Sequence, residues 1–115
     1  EAYVHTMQTL SLVEGYATGL SVEAAARRLC LSAAVYVTFS ADNLAHVAPL
    51  IRGRRYVIAD NDQSGTGQRV AEATGLPWAM SERIGNDAND DHVQFGLLAV
   101  CKLLMRARSG RSLAA

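Results

Sequence analysis

The sequence predicts an α/β protein in which a mostly parallel, four-stranded sheet is flanked by helices. Four short apolar segments of strand-like composition alternate with four segments whose apolar residues recur at helical spacing. Such alternation is typical of parallel sheets whose strands are joined by right-handed helical crossovers. The chain has 115 residues, of which 50% are hydrophobic, so it can form one domain with its own core.

The first half of the chain supplies two strand–helix pairs. Strands are predicted over residues 9–13 and 34–39, because both segments are short and rich in apolar and β-branched residues. A helix is predicted over residues 17–29, and a shorter one over residues 44–51. The longer helix has an expected buried face made of Leu20, Ala24, Ala25 and Leu29.

The second half begins with an apolar segment over residues 56–59, whose composition predicts a buried core strand. A helix over residues 66–74, stopped by Gly75, follows it. A fourth strand is predicted over residues 76–80. Because Pro77 lacks a backbone N–H, we place this strand at an edge of the sheet.

The last helix is predicted as one element from about Asp90 to Arg108. Trp78 and Phe95 are expected in the core. Apolar residues at helical spacing define the expected buried face of the helix: Val93, Leu97, Leu98, Val100, Cys101, Leu104 and Met105.

The chain ends carry little structural signal. Residues 1–8 indicate a lead-in strand or a linker, and residues 108–115 indicate a fraying end. Because the chain starts at Glu1 without a methionine, we interpret it as one domain, with a core over about residues 9–107, excised from a larger protein. No apolar run approaches the roughly 18 residues of a membrane helix, and no signal peptide is evident.

Charge is balanced overall but unevenly distributed. The 11 basic and 11 acidic residues give zero formal net charge, which does not support a free-standing nucleic-acid binder. Acidic residues concentrate between Asp60 and Asp91, whereas every charged residue after Asp91 is basic. This distribution suits a metal-dependent enzyme acting on phosphate-bearing substrates, although a solvated basic helix face explains the basic end at least as well. Cys30 and Cys101 form no zinc motif and are expected to be reduced core residues of a cytoplasmic protein.

Four acidic residues follow predicted strands. Glu14 follows the first strand, Asp60 and Asp62 follow the third, and Asp87 follows the fourth. Ligand sites of parallel sheets lie beyond the carboxyl ends of the strands. Carboxylates that meet there repel one another, and a divalent cation relieves the repulsion. The sequence therefore predicts a Mg²⁺ site, in which Mn²⁺ can substitute.

Neighbouring residues are predicted to support this site. Glycines let the backbone turn tightly and let a ligand approach closely, and the helix over residues 66–74 presents its first amide groups to an anion. Arg69 in that helix is the strongest candidate for a phosphate contact. The segment 87–90 also fits an Asx-rich turn that caps the last helix, and Asp90 fits that role in particular. The supporting residues are Gly15, Gly65, Gly67, Asn89, Asp90 and Arg69.

The order and spacing of these motifs resemble the Toprim domain, which is shared by primases, type IA and type II topoisomerases and some nucleases. The resemblance is closest to plasmid and phage primases and primase-helicases, covers about residues 10–105, and implies a Rossmann-like three-layer fold. The motifs that carry it are Glu14-Gly15, Asp60-x-Asp62-x-x-Gly65 and Asp87-x-Asn89-Asp90.

The resemblance implies a role for each acid. Glu14 matches the family's glutamate, a general base in polymerisation and a general acid in strand re-ligation. Asp60 and Asp62 match the aspartates that coordinate Mg²⁺, and Asp87 matches an acid that assists metal binding. Thr18 stands where many replicative primases carry an extra aspartate, which favours the plasmid and phage branch.

The activity that the resemblance implies is Mg²⁺-dependent nucleotidyl transfer by a DNA primase or primase-helicase, which synthesises RNA primers on single-stranded DNA in phage or plasmid replication. The implied partners of the full-length protein are the template strand, nucleoside triphosphates, and neighbouring primase, zinc-binding or helicase domains. The implied location is the cytoplasm of a bacterial or phage-infected cell. Alone, the domain is expected to bind Mg²⁺ or Mn²⁺ weakly and to have little activity.

Other functions remain open at the level of sequence. A Toprim-type nuclease or topoisomerase module carries the same acids, although a topoisomerase also needs a nucleophilic tyrosine that no tyrosine here persuasively supplies. A non-catalytic module could bind a partner or a nucleic-acid end. A haloacid dehalogenase-type phosphatase has its Asp-x-Asp after the first strand and needs a lysine in its site, whereas Lys102, the one lysine of the chain, lies in the middle of a predicted helix.

Overall fold

The computed structural model describes residues 9–109, which form a four-stranded sheet flanked by helices. All three neighbouring strand pairs are parallel. The predicted α/β class is confirmed, and the sheet is wholly parallel rather than mostly so. The strands are β1 (Thr9–Val13), β2 (Ala33–Val37), β3 (Arg54–Ala59) and β4 (Trp78–Met80), arranged in the order β2-β1-β3-β4. β4 therefore lies at an edge of the sheet, as predicted from Pro77.

Helices cover both faces of the sheet, an arrangement consistent with a Rossmann-like three-layer fold. The helices are α1 (Tyr16–Arg28), α2 (Ala41–Val47), α3 (Thr66–Ala73), α4 (Ala88–Phe95) and α5 (Leu97–Arg108), and a 3₁₀ turn (Ala48–Leu50) follows α2. Side chains alternate along each strand. Val13 and Ile58 accordingly join the core beneath α1, α4 and α5, whereas Leu12 and Val57 join the core beneath α2 and α3.

The prediction of one last helix from Asp90 to Arg108 is wrong. The backbone of Gly96 (φ 90°, ψ 172°) leaves the helical region and separates α4 from α5. Glycine adopts this conformation at little cost because it has no Cβ. Because α5 is a separate helix that begins at Leu97, its buried face does not continue the buried face of α4. Three residues that the single-helix pattern placed in the core are exposed: Val93, Leu98 and Met105.

Several predicted boundaries are also corrected. β2 ends at Val37, two residues before the predicted end, because Phe39 has a left-handed backbone (φ 69°) that cannot continue a strand. α2 begins at Ala41 rather than at residue 44, since the Ser40 side chain accepts the Asn43 N–H and caps the helix there. β3 starts two residues earlier than predicted, and β4 starts two residues later.

Trp78 is buried as predicted, but three other predicted core residues are exposed: Leu20, Cys30 and Phe95. Cys30 lies in the turn after α1, with a left-handed backbone (φ 57°). Phe95 ends α4, and the Arg83 guanidinium lies 3.7 Å from its ring centroid. Among residues 9–109 no helix is long and apolar enough to cross a membrane. The predictions for residues 1–8 and 110–115 lie outside the described part of the chain.

Candidate functional site

Glu14 lies at the carboxyl end of β1, in the middle of the sheet. The loop after β2 is bonded to this strand end: the Thr38 N–H donates to the Val13 carbonyl oxygen (2.9 Å), and the Phe39 N–H donates to the Glu14 carbonyl oxygen (2.7 Å). Gly15 follows and caps α1 with an ordinary extended backbone (φ −99°). Glu14 is therefore held between a strand, a helix start and a neighbouring loop.

Asp60 lies at the carboxyl end of β3, the strand that pairs with β1. Val13 is in register with Ile58, so Glu14 and Asp60 leave adjacent strands at nearly the same level. Asp62 follows in the turn before α3, where the Gly65 N–H donates to its carbonyl oxygen (3.1 Å). The parallel sheet thus brings together acids that are 46 to 48 residues apart in the sequence.

Gly65 and Gly67, the two glycines predicted to support the site, are each required in this turn for a different structural reason. Gly65 has a left-handed backbone (φ 75°), which glycine adopts without steric cost. Gly67 has no unusual φ, but a Cβ there would overlap the carbonyl oxygen of Asp60. Its N–H also approaches Oδ1 of Asp62 at 3.4 Å. Close packing of α3 against the acid-bearing strand end therefore depends on Gly67.

Asp87 caps α4. Its Oδ1 accepts the Asp90 N–H (2.8 Å), and its own N–H donates to Oδ2 of Asp90 (2.9 Å), which completes a capping box. The N-cap of α4 is thus Asp87 and not Asp90, which the sequence favoured for the cap; Asp90 lies in the first turn and completes the capping box. Repulsion from Asp87 also contributes to the raised pKa of Asp60, so this cap lies near the end of β3.

The acids at this edge influence one another. Burial raises the pKa of Asp60 to about 7, and repulsion from Glu14, Asp87 and Asp62 adds to the effect of burial. Each of the three other acids is therefore near enough to disfavour a negative charge on Asp60. The four acids therefore lie near one edge of the sheet, and their role as metal ligands stays a prediction.

The four acids form no ion pair within the described part of the chain, although Asp87 and Asp62 accept backbone N–H groups. Within residues 9–109 the ion pairs are Arg27–Glu23 and Arg106–Glu82, and neither involves the four acids. Oδ1 of Asp60 is buried without a hydrogen-bond partner. Mg²⁺ prefers oxygen ligands, carboxylates among them, so an Asp60 oxygen that accepts no hydrogen bond is a suitable ligand. Within residues 9–109 no three His, Cys, Asp or Glu side chains are spaced to hold a metal ion.

A partly buried polar network fixes the Asp87 loop to the Asp60 loop, and sequence reasoning missed it. Asn61 donates twice across the gap: its N–H donates to the Asn86 carbonyl oxygen (3.0 Å), and its Nδ2 donates to the Ser81 carbonyl oxygen (2.8 Å). Asp91, buried in α4, accepts the Ser81 hydroxyl (2.8 Å) and Nδ2 of Asn86 (2.9 Å) on one oxygen. No pattern of residue spacing in the sequence predicts this network, because its members come together only when β4 pairs with β3.

The remaining predicted support residues make local contacts. The Arg69 guanidinium donates to the Ser64 carbonyl oxygen (2.9 Å) and to the Thr66 hydroxyl (3.2 Å), so it braces the glycine turn. Asn89 accepts the Ser21 hydroxyl at 3.4 Å, and the same hydroxyl lies 3.0 Å from Nδ1 of His92. These contacts join α4 to α1.

The space directly beside the acids is small. A cavity of about 10 Å³ is bounded by Glu14, Asp60 and Gly67 together with apolar residues of β3, α2 and α3. That volume holds about one water molecule. A substrate larger than water would therefore lie on the outer surface of this edge.

The fold and the site define an α/β protein with a cluster of acids at the carboxyl edge of a parallel sheet. No known protein family, no curated protein and no solved structure matches this chain.

Proposed function

We propose that this chain is the Mg²⁺-dependent nucleotidyl-transfer module of a Toprim-type DNA primase or primase-helicase, which makes RNA primers on single-stranded DNA in phage or plasmid replication. The observation that carries the proposal is the parallel pairing of β1 with β3, which brings Glu14 and Asp60 to one sheet edge, where burial and repulsion from Glu14, Asp87 and Asp62 raise the pKa of Asp60. Such a cluster is unfavourable unless protons or a cation neutralise it. The order of the motifs along the chain supports the same assignment.

The four acids have distinct proposed tasks. Asp60, Asp62 and Asp87 would hold Mg²⁺, and the buried, partnerless Oδ1 of Asp60 fits a cation ligand. When bound, the ion neutralises negative charge on the phosphoryl group being transferred. Glu14 is close enough to raise the pKa of Asp60 but belongs to a different strand, which suits a base that accepts the proton of the attacking hydroxyl.

The proposed partners follow from the same assignment. In the full-length protein they are the single-stranded template, nucleoside triphosphates, and neighbouring primase, zinc-binding or helicase domains in the cytoplasm of a bacterial or phage-infected cell. Selection of template and nucleotide needs surfaces outside the acid cluster, so the chain alone is expected to bind metal weakly and to react slowly.

The proposal is tested by titrating Mn²⁺ into the chain and following NMR line broadening. Broadening should centre on Glu14, Asp60, Asp62 and Asp87, and it should disappear in the double variant Asp60→Asn/Asp62→Asn. Asp42→Asn is a matched control, because Asp42 is an exposed aspartate on α2 that does not contribute to the shift of Asp60. An absence of localised broadening at millimolar Mn²⁺ would reject the metal site and the enzyme with it.

A second experiment separates transfer from hydrolysis. The chain is incubated with labelled single-stranded DNA, nucleoside triphosphates and Mn²⁺, and the products are resolved by length. New template-dependent oligonucleotides support nucleotidyl transfer, whereas shortening of the labelled strand supports a Toprim-type nuclease. Both activities should be lost in Asp60→Asn/Asp62→Asn and kept in Asp42→Asn.

A further inference from the structure

Phe39 combines two features that are unfavourable for an aromatic residue. Its backbone is left-handed (φ 69°), a conformation that costs a bulky side chain energy and that glycine normally occupies. Its side chain is also 75% exposed, so it gains little from burial. Among the described residues, no packing contact of Phe39 offsets the backbone strain or the exposure of its ring. Strained residues of this kind concentrate at functional sites, where the strain holds a group in place.

The strained backbone is held from several sides. The Thr38 hydroxyl donates to the Val13 carbonyl oxygen (3.1 Å), which already accepts the Thr38 N–H. Nδ2 of Asn43 donates to the Thr38 carbonyl oxygen (2.9 Å), and the Phe39 N–H donates to the Glu14 carbonyl oxygen (2.7 Å). The loop is therefore fixed to the strand end that carries Glu14. Phe39 is therefore an exposed aromatic residue whose backbone is bonded directly to that of Glu14.

We propose that Phe39 stacks on a nucleobase of the substrate, a proposal that rests on the nucleotidyl-transfer function above. The cavity beside Glu14 and Asp60 is too small for a base, so a base must rest on the outer surface of this edge. The four acids repel phosphates until a metal is bound, whereas stacking on an uncharged ring does not suffer this repulsion. Tyr16, which begins α1 two residues after Glu14, is a second exposed aromatic at the same edge.

A base could come from a nucleic-acid strand or from a free nucleoside triphosphate. The test therefore measures binding of a fluorescently labelled oligodeoxythymidine and, separately, of ATP, each with Mn²⁺. Phe39→Leu removes the ring but keeps an apolar side chain that, like phenylalanine, is not branched at Cβ. This variant should bind the stacking ligand about 5- to 150-fold more weakly than the wild type. Phe39→Trp should retain binding. Phe95→Leu is the matched control, because Phe95 is the other exposed phenylalanine and lies at the far end of α4 from Asp87.

Phe39→Trp also gives a direct readout of stacking. The native Trp78 is buried, so an added exposed tryptophan dominates any quenching of emission by the ligand. Quenching by the oligonucleotide or by ATP in Phe39→Trp, absent from the wild type, supports stacking. Phe39→Gly provides a variant that relieves the backbone strain and lacks the ring, so it should fold and should bind as weakly as Phe39→Leu.

The outcomes distinguish this inference from the proposed function. If the wild type shows no localised Mn²⁺ broadening, the proposed function fails and the stacking role falls with it. If the wild type binds Mn²⁺ and ligand but Phe39→Leu binds the ligand equally well, the stacking role alone is overturned, and a contact between Phe39 and a neighbouring protein domain becomes the better explanation. Equal weakening by Phe39→Leu and Phe39→Trp would also overturn it, because the ring itself would then not matter.

Discussion

Gly67 lies so close to Asp60 that a Cβ at position 67 would overlap the Asp60 carbonyl oxygen. The first turn of α3 therefore packs directly on the strand end that carries Asp60, whose pKa is raised to about 7. A methyl group at this position must push α3 away from β3 or displace Asp60. Packing and the geometry of the site are coupled through this one glycine.

We expect Gly67→Ala to lower the free energy of unfolding by about 1–3 kcal/mol, the usual cost of overpacking. The measurement is urea denaturation followed by circular dichroism. Gly15→Ala is the matched control, because its φ of −99° suits any residue and its added Cβ would meet only the Thr18 hydroxyl at 3.8 Å. Because Gly15 is the N-cap of α1, where alanine is less favourable than glycine, Gly15→Ala should cost no more than about 1 kcal/mol. Equal losses in both variants would contradict the packing argument.

The raised pKa of Asp60 predicts an unusual pH dependence of stability without metal. A carboxyl group with a folded pKa near 7 and an ordinary value of 3.8 binds its proton more tightly in the folded state. Its stabilising contribution is complete below about pH 3.8 and is lost as the pH rises through 7. Relative to Asp60→Asn, the wild type should lose on the order of 1–2 kcal/mol between pH 4 and 8, since water screens part of the interaction. Parallel pH profiles of wild type and Asp60→Asn would contradict the shift.

Metal binding should show the opposite trend with pH. A carboxylate ligand must lose its proton before it coordinates a cation, so Mn²⁺ affinity should fall as Asp60 becomes protonated. We expect the apparent affinity to fall by up to about tenfold per pH unit below pH 7 and to level off above it. Titration calorimetry from pH 5.5 to 8.5 measures this. An affinity that is unchanged from pH 5.5 to 8.5 would contradict an Asp60 ligand whose pKa is raised to about 7.

Asp91 is expected to act through hydrogen bonding rather than charge. It is 6% exposed and accepts two hydrogen bonds on the same oxygen, from Ser81 and from Asn86. Asp91→Asn keeps that oxygen and should cost less than about 1 kcal/mol. Asp91→Ala leaves the buried Ser81 hydroxyl without its acceptor, whereas Nδ2 of Asn86 keeps Oε1 of Gln94, and the variant should cost about 1–3 kcal/mol. Urea denaturation compares the two variants, and equal losses in both would show that the charge matters instead.

Relief of the left-handed backbone at Phe39 should stabilise the chain. Glycine occupies a φ of 69° without steric cost, so Phe39→Gly should raise the free energy of unfolding by about 1 kcal/mol. Phe39→Leu keeps the strain and should leave stability within about 0.5 kcal/mol of the wild type. Thermal unfolding checks both values. A destabilised Phe39→Gly variant would mean that the aromatic ring contributes to the fold.

Much of the fold was predictable because it depends on local patterns. The apolar segment before Asp60, the glycine stop at Gly75 and the proline before β4 each act through backbone geometry or hydrophobic period, and each was placed within two residues. The last helix was not predictable in detail, because Gly96 is compatible with a helix until its neighbours set its φ to 90°. Phe95 was assigned to the core on its hydrophobicity, but the end of α4 leaves it beside Arg83 at the surface.

The sequence by itself determined the alternation of strands and helices, the parallel sheet and the position of four acids after strands, since all of these follow from the hydrophobic period of the chain and the rule that parallel strands end at one edge. Only the tertiary structure decided how strongly the acids interact, because the pKa of Asp60 depends on burial and on charges from other strands. It also decided the network of Asn61, Ser81 and Asp91, whose members are far apart until β4 pairs with β3. Electrostatic and hydrogen-bond energies depend on distances in space, which local periodicity does not specify.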